Sequence, residues 1–156
     1  MDKKEIQNLI KELIGKTSVA VDEVTIMEEP KLIYFGVQVK EPHLFLNREG
    51  EGLYALNHII RRMIENKITE NSGAEGIQIM IDINGFQKKR MESVRAIAHM
   101  MAERARYFKS SVEVDPMPPF ERRVIHEFLA DAEDLKTESV GMGPSRRVVI
   151  RYLGSI

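Results

Sequence analysis

The chain has 156 residues, 43% hydrophobic and 30% charged, enough apolar material to bury a core as one domain or as two small ones. It contains no cysteine, which removes disulfides, thiolate zinc sites, iron–sulfur clusters and cysteine nucleophiles together. The formal charge of −1 averages two unlike halves: residues 1–83 hold 10 Lys and Arg against 14 Asp and Glu, residues 84–156 hold 13 against 10, so any phosphate-seeking surface belongs to the second half.

Ile6, Leu9, Ile10, Leu13 and Ile14 recur at helical spacing and predict an amphipathic helix between Asp2 and Gly15, with Gly15 as its stop. No segment approaches the apolar length of a bilayer span, so the expectation is a cytoplasmic protein without membrane insertion. The β-rich runs 18–27 and 31–40, separated by Glu28-Glu29-Pro30, predict a hairpin. A polar turn, Asn47-Arg48-Glu49-Gly50, then leads into a helix whose Leu53, Leu56, Ile60, Met63 and Ile64 share a face. Gly73 and Gly76 bracket its exit, and the run 77–83 reads as a buried strand. The first half, 1–83, is therefore α-β-β-α-β.

Asn84-Gly85 breaks the chain. Met91, Val94, Ile97, Ala98, Met101, Ala102 and Ala105 then define a long amphipathic helix, with Lys88, Arg95, His99 and Arg106 along one edge and Lys89, Arg90 and Arg104 elsewhere. A short strand at 112–114 precedes Asp115-Pro116-Met117-Pro118-Pro119, where proline suits the first turn of a helix. That helix carries Arg122 and His126 at i and i+4, on one face beside Phe120, Val124, Ile125, Phe128 and Leu129, which are expected in the core. Strands near 135–140 and 147–152 surround the turn Gly141-Met142-Gly143-Pro144. The second half, 84–156, is α-β-α-β-β, and the whole is α+β.

A guanidinium and an imidazole held on one helix face can grip a phosphate, although a pair that merely braces the fold has the same spacing. Arg123 is turned about 100° from Arg122 and is placed to pair with Glu127. Strand alternation sends one of Arg146 and Arg147 outward. Tyr107 and Phe108 suit either a stacking platform or packing at a helix end. His43, His58, His99 and His126 form no metal-binding spacing, no P-loop is present, and Asp82 and Asp115 lack a visible partner for acid–base chemistry. No catalytic residue, metal or cofactor is therefore expected.

Phe86, Lys89, Arg90, the run 112–117, the segment 121–126, the segment Thr137-Glu138-Ser139-Val140-Gly141 and the run 146–150 together resemble an R-three-H domain (arginine, three residues, histidine). The preceding half resembles a KH domain whose Gly-x-x-Gly loop has become Asn47-Arg48-Glu49-Gly50, with Asn47 expected to adopt the left-handed conformation in the first glycine's place. This order of halves resembles that of the bacterial Jag family, in which a KH domain directly precedes R-three-H, and the expectation is of a Jag-like protein lacking the separate N-terminal domain.

The resemblance implies binding of single-stranded RNA, or of DNA, through Arg122, His126, Arg123, Lys88, Lys89, Arg95, Arg146 and Arg147. It implies a post-transcriptional role linked to cell elongation and division. It also implies a small KH-domain protein partner or a homodimer. Glu49 and Glu51 put negative charge where the KH loop would meet phosphate, so a scaffold using a degenerate KH half is the alternative.

Overall fold

The computed structural model describes residues 1–68 and 78–154. Two compact units divide the chain, Met1–Lys88 and Lys89–Ile156, each with its own hydrophobic core and three-stranded sheet. The architecture is α+β.

The first unit opens with helix α1, Lys3–Lys16. Asp2 caps it, accepting the Glu5 N–H while the Glu5 carboxylate accepts the Asp2 N–H, which satisfies two otherwise orphaned amides. Its apolar stripe buries Ile6, Ile10 and Ile14. Gly15 does not stop it. The helix runs one residue further to a Thr17 cap whose hydroxyl donates to the Ile14 carbonyl at 2.6 Å, and Ser18 makes the left-handed turn.

Strands β1 (Val21–Glu29) and β2 (Leu32–Val39) form the antiparallel hairpin. Strand β3 (Gln78–Ile83) adds parallel to β2, in the order β1-β2-β3. Phe35, Val37, Ile81 and Ile83 are fully buried in the core. The glycines expected at the exit before β3, Gly73 and Gly76, lie outside the described residues.

Helix α2 spans His43–Ile68 and is interrupted at Asn47–Gly50, so a short helical turn precedes the loop. Gly52 permits the close fold-back, since a Cβ there would lie 2.3 Å from the Leu44 carbonyl oxygen. The side chain of Asn57, on the long part of α2, pairs with both backbone groups of Ile81, accepting its N–H at 2.8 Å and donating to its carbonyl at 2.8 Å.

Asn84 and Gly85, both at positive φ, turn the chain into helix α3, Phe86–Phe108. The Asn84 side chain pairs with both backbone groups of Val39. Buried Asp82 accepts the Gln87 and Lys88 amides and the Tyr34 hydroxyl, and Phe86 packs on the first core. These contacts fasten the first turn of α3 to the first unit, so the division falls after Lys88 rather than at the Asn84-Gly85 break. Asp82 is thus a helix cap that also anchors Tyr34, whose hydroxyl pKa burial and the neighbouring carboxylate raise strongly.

In the second unit the α3 residues Val94, Ala98, Ala102 and Ala105 pack with Ile125 and Leu129 of the α4 region. Helix α4 is Pro119–Phe128, with proline at its start. Strands β4 (Val112–Glu113), β5 (Leu135–Val140) and β6 (Arg147–Tyr152) form an antiparallel sheet in the order β4-β6-β5, and a 3-10 turn at Gly143–Ser145 joins the last two. Phe128, expected in the core, is 44% exposed, and it is the next residue, Leu129, that is buried at this end of α4.

Candidate nucleic-acid interface

Alternation in the β5–β6 ladder sorts the charged side chains of the second unit. Leu135, Thr137 and Ser139 stand opposite Tyr152, Ile150 and Val148 on the face turned to the helices, where Val148 and Ile150 are fully buried. Lys136, Glu138 and Val140, with Arg151, Val149 and Arg147, belong to the other face. There Arg147 grips Glu113 through two nitrogens at 2.8 and 3.3 Å, and Glu138 receives both Arg151 and Lys136, at 3.1 and 3.5 Å. Val149 is buried on this ion-paired face. Arg147 therefore lies on the side of the sheet opposite to His126, and its neighbour Arg146 is the one left at the open end.

Helix α4 meets the inner face. His126 lies between two strand hydroxyls, its Nδ1 2.7 Å from Thr137 Oγ1 and its Nε2 2.8 Å from Ser139 Oγ. A neutral ring satisfies both contacts in either tautomer, with one nitrogen donating and the other accepting. Burial, with the positive charge of Arg122 nearby, pushes the His126 pKa below its ordinary value. The ring thus fastens helix to strand as an uncharged clamp.

Arg122, half-buried one turn earlier, donates from Nη1 to the Met117 carbonyl at 3.1 Å. Met117 in turn donates its N–H to the Arg146 carbonyl at 3.3 Å. Arg122, the proline-rich entry to α4 and the start of β6 are therefore neighbours through consecutive hydrogen bonds. The Arg122 guanidinium keeps further N–H donors after this single contact. Arg146 is exposed and makes one long bond to the Gly141 carbonyl, 3.3 Å. Arg123 is exposed on the solvent side of α4, and no ion pair joins it to Glu127 among the described residues.

The acid just before Arg122 contributes a feature not foreseen in the sequence. Glu121 is 3% exposed and accepts the Arg90 Nε at 2.7 Å, tying the first turns of α3 and α4 together. Arg95 lies about 140° round α3 from Arg90. The Lys88–Arg95–His99–Arg106 edge thus faces away from the α4 contact. On it Arg106 is fully engaged, bound to Asp134 at 2.6 and 2.9 Å and to Glu103 at 2.7 Å, and it holds the Asp134 carboxyl below the usual range. Lys88, Lys89 and Arg95 are exposed. The structure places Arg122 and His126 within electrostatic reach of each other on α4 and links the Met117 segment that Arg122 holds to the Arg146 backbone, while Arg147 lies on the other face of the sheet.

The loop at 47–50 differs in detail from expectation. Asn47 is extended, at φ −63° and ψ 156°, while Arg48, Glu49 and Gly50 are all left-handed, at φ 52°, 60° and 85°. Gly50 is buried against the Phe86 ring, which a Cβ would meet at 2.6 Å, so its role is packing as well as conformation. Asn47, Arg48, Glu49 and Glu51 are exposed.

Residues 92–152, which include the helix carrying Arg122 and His126 and the strand that the histidine bonds, match the model of the R-three-H domain. Beyond that segment the chain is 24% identical over 149 residues to RNA-binding protein KhpB of Bacillus subtilis (strain 168), covering 94% of this chain and 67% of that protein. It is 26% identical over 142 residues to RNA-binding protein KhpB of Clostridium symbiosum, covering 90% of this chain and 62% of the relative. The protein of the same name from Lactiplantibacillus plantarum aligns over 107 residues at 27% identity, 32% of its length. The chain thus spans about two thirds of the first two relatives and a third of the last.

Thr137 and Ser139, the histidine's partners, carried no assigned role in the sequence. The signal was their i, i+2 spacing on a strand, readable only once that strand is known to lie under the helix.

Proposed function

We propose that the protein binds single-stranded RNA, without catalysis, through Arg122 and the surface around it. The observation that carries this reading is the Arg122–Met117–Arg146 chain of contacts, which fixes the Arg122 guanidinium at the start of α4 and brings the backbone of exposed Arg146 close to the same segment. Among the described residues neither Arg122 nor Arg146 is in an ion pair, unlike Arg147 and Arg151. Arg123, Lys89, Lys88 and Arg95 add exposed charge around the domain. The match to the R-three-H domain and the relatives named for RNA binding support the same reading. Backbone neutralisation is the mechanism, with phosphate contacts supplying affinity and little sequence readout. No helix among the described residues is long and apolar enough to cross a membrane, and we place the protein in the cytoplasm.

The test is fluorescence anisotropy with labelled single-stranded RNA, comparing wild type with Arg122→Gln. His126 is left intact because its loss loosens β5. Folded Arg122→Gln binding at least several-fold more weakly sustains the reading; unchanged binding moves the interface elsewhere.

The first unit is read as a KH-like half whose loop has turned from nucleic acid towards a protein partner or a second copy. Three successive left-handed residues and the exposed Glu49 and Glu51 favour this second reading, because carboxylates repel phosphate. A complex that survives Arg122→Gln and is lost on altering the first unit supports it. A regulatory role in cell elongation or division would follow from whichever RNAs are bound.

A further inference from the structure

We propose that Tyr107 and Phe108, at the C-terminal end of α3, form a base-stacking platform for the single-stranded RNA; this rests on the RNA-binding reading and adds a contact independent of Arg122. Tyr107 is 81% exposed and Phe108 is 61% exposed. The rings meet edge to face, with centroids 5.0 Å apart and planes at 87°, so one face of one ring is covered by the edge of the other, while their exposure leaves the remaining ring surface open to a base. Packing at the helix end, the alternative use for two such rings, is not what they do. Tyr107 lies two positions past buried Ala105, about 200° round the helix.

The backbone holds the rings in place. The Ser110 N–H donates to the Ala105 carbonyl at 3.2 Å and the Lys109 N–H to the Arg106 carbonyl at 3.3 Å, with Lys109 left-handed at φ 50°. This is a Schellman closure, with lysine where glycine is usual, and it fixes Tyr107 and Phe108 in the final turn.

The surrounding charge favours a nucleic acid as occupant. Arg104, one turn before Phe108, and Lys109 are exposed and have no ion pair among the described residues, while Glu103 and Asp134 are both held by Arg106. Cations flanking two exposed aromatic rings suit phosphates flanking bases. An apolar protein surface would meet the same two cations without neutralising them.

The experiment compares wild type with a Tyr107→Leu, Phe108→Leu variant, whose substitutions keep helix-forming apolar residues at exposed positions, in binding oligoadenylate and an abasic ribose-phosphate oligomer of equal length. The variant is expected to bind oligoadenylate about ten-fold more weakly and the abasic oligomer as wild type does. Oligoadenylate should also quench wild-type tyrosine fluorescence, and Tyr107→Phe should lose most of that quenching while binding normally. Equal oligoadenylate affinity in wild type and double variant overturns the platform, as it would if the rings served a protein contact, and leaves the RNA-binding reading intact. Failure of wild type to bind either oligomer overturns both.

Discussion

His126 is held as a neutral ring, and neutrality has a pH signature. Because its folded pKa is depressed, acid protonates the unfolded chain before the native one, so the stabilisation present above the ordinary histidine range is lost as pH falls through the lowered folded value. Thermal midpoints measured from pH 7.5 down to pH 5 should drop more steeply for wild type than for His126→Gln, which keeps a polar side chain without the titration. The loop residues store strain of another kind. Arg48 and Glu49 are left-handed without being glycine, a conformation costing an L-residue about 1–2 kcal/mol, partly offset in any comparison by the greater freedom of unfolded glycine. Glu49→Gly should therefore raise urea-derived stability, by about 0.5–1 kcal/mol. At this scale the sequence was legible where the signal is local. Arg122 and His126 share a face because four residues make one helical turn. The Asn47 conformation was misplaced because four loop residues admit several ways of reversing a chain, and packing of Gly50 on Phe86 selects one of them.

Strand β6 separates two populations of arginine by parity alone. Arg147 and Arg151 lie on the ion-paired face, and Arg146, just before the strand, does not. Arg147→Ala should leave single-stranded RNA affinity within two-fold of wild type, while Arg146→Ala weakens it several-fold; anisotropy titrations of the two variants decide this. Between α3 and α4 the decisive contact is Arg90 with Glu121. Taking the cation away strands a carboxylate that is almost wholly buried, so Arg90→Met should lower the free energy of urea unfolding by about 3 kcal/mol, and Glu121→Gln, which keeps an acceptor, by less. The order of helices and strands was readable from hydrophobic periodicity, and the hairpin from its turn. Which strands pair in parallel, and which acids meet Arg90, Arg106 and Arg147, depend on contacts between residues far apart in the sequence. Periodicity carries no information about those.

For the molecule as a whole, a net charge of −1 does not forbid phosphate binding, because the acidic excess lies in residues 1–83 and the basic excess beyond. If about three to five phosphates are contacted, log affinity for single-stranded RNA should fall with log salt at a slope of about −2 to −3.5, and Arg122→Gln should make that slope shallower by about 0.7. Titrations at four salt concentrations give both numbers, and a flat dependence would remove backbone neutralisation as the mechanism. The charge asymmetry was visible in the sequence; which cations remain unpaired on the folded surface was not, since Arg106 and Arg147 look as available as Arg146 until their acids are located. Asn57, finally, bears on what the protein avoids. By matching both the N–H and the carbonyl of Ile81, its amide acts as a one-residue substitute for a fourth strand and closes the β3 margin of the first sheet at its centre. Gln7 donates in the same manner to the Val24 carbonyl on β1, whose Asp22, Glu23, Glu28 and Glu29 would repel a like strand. A sheet finished in this way resists growth by accretion of further chains, leaving association to side-chain surfaces that can be specific.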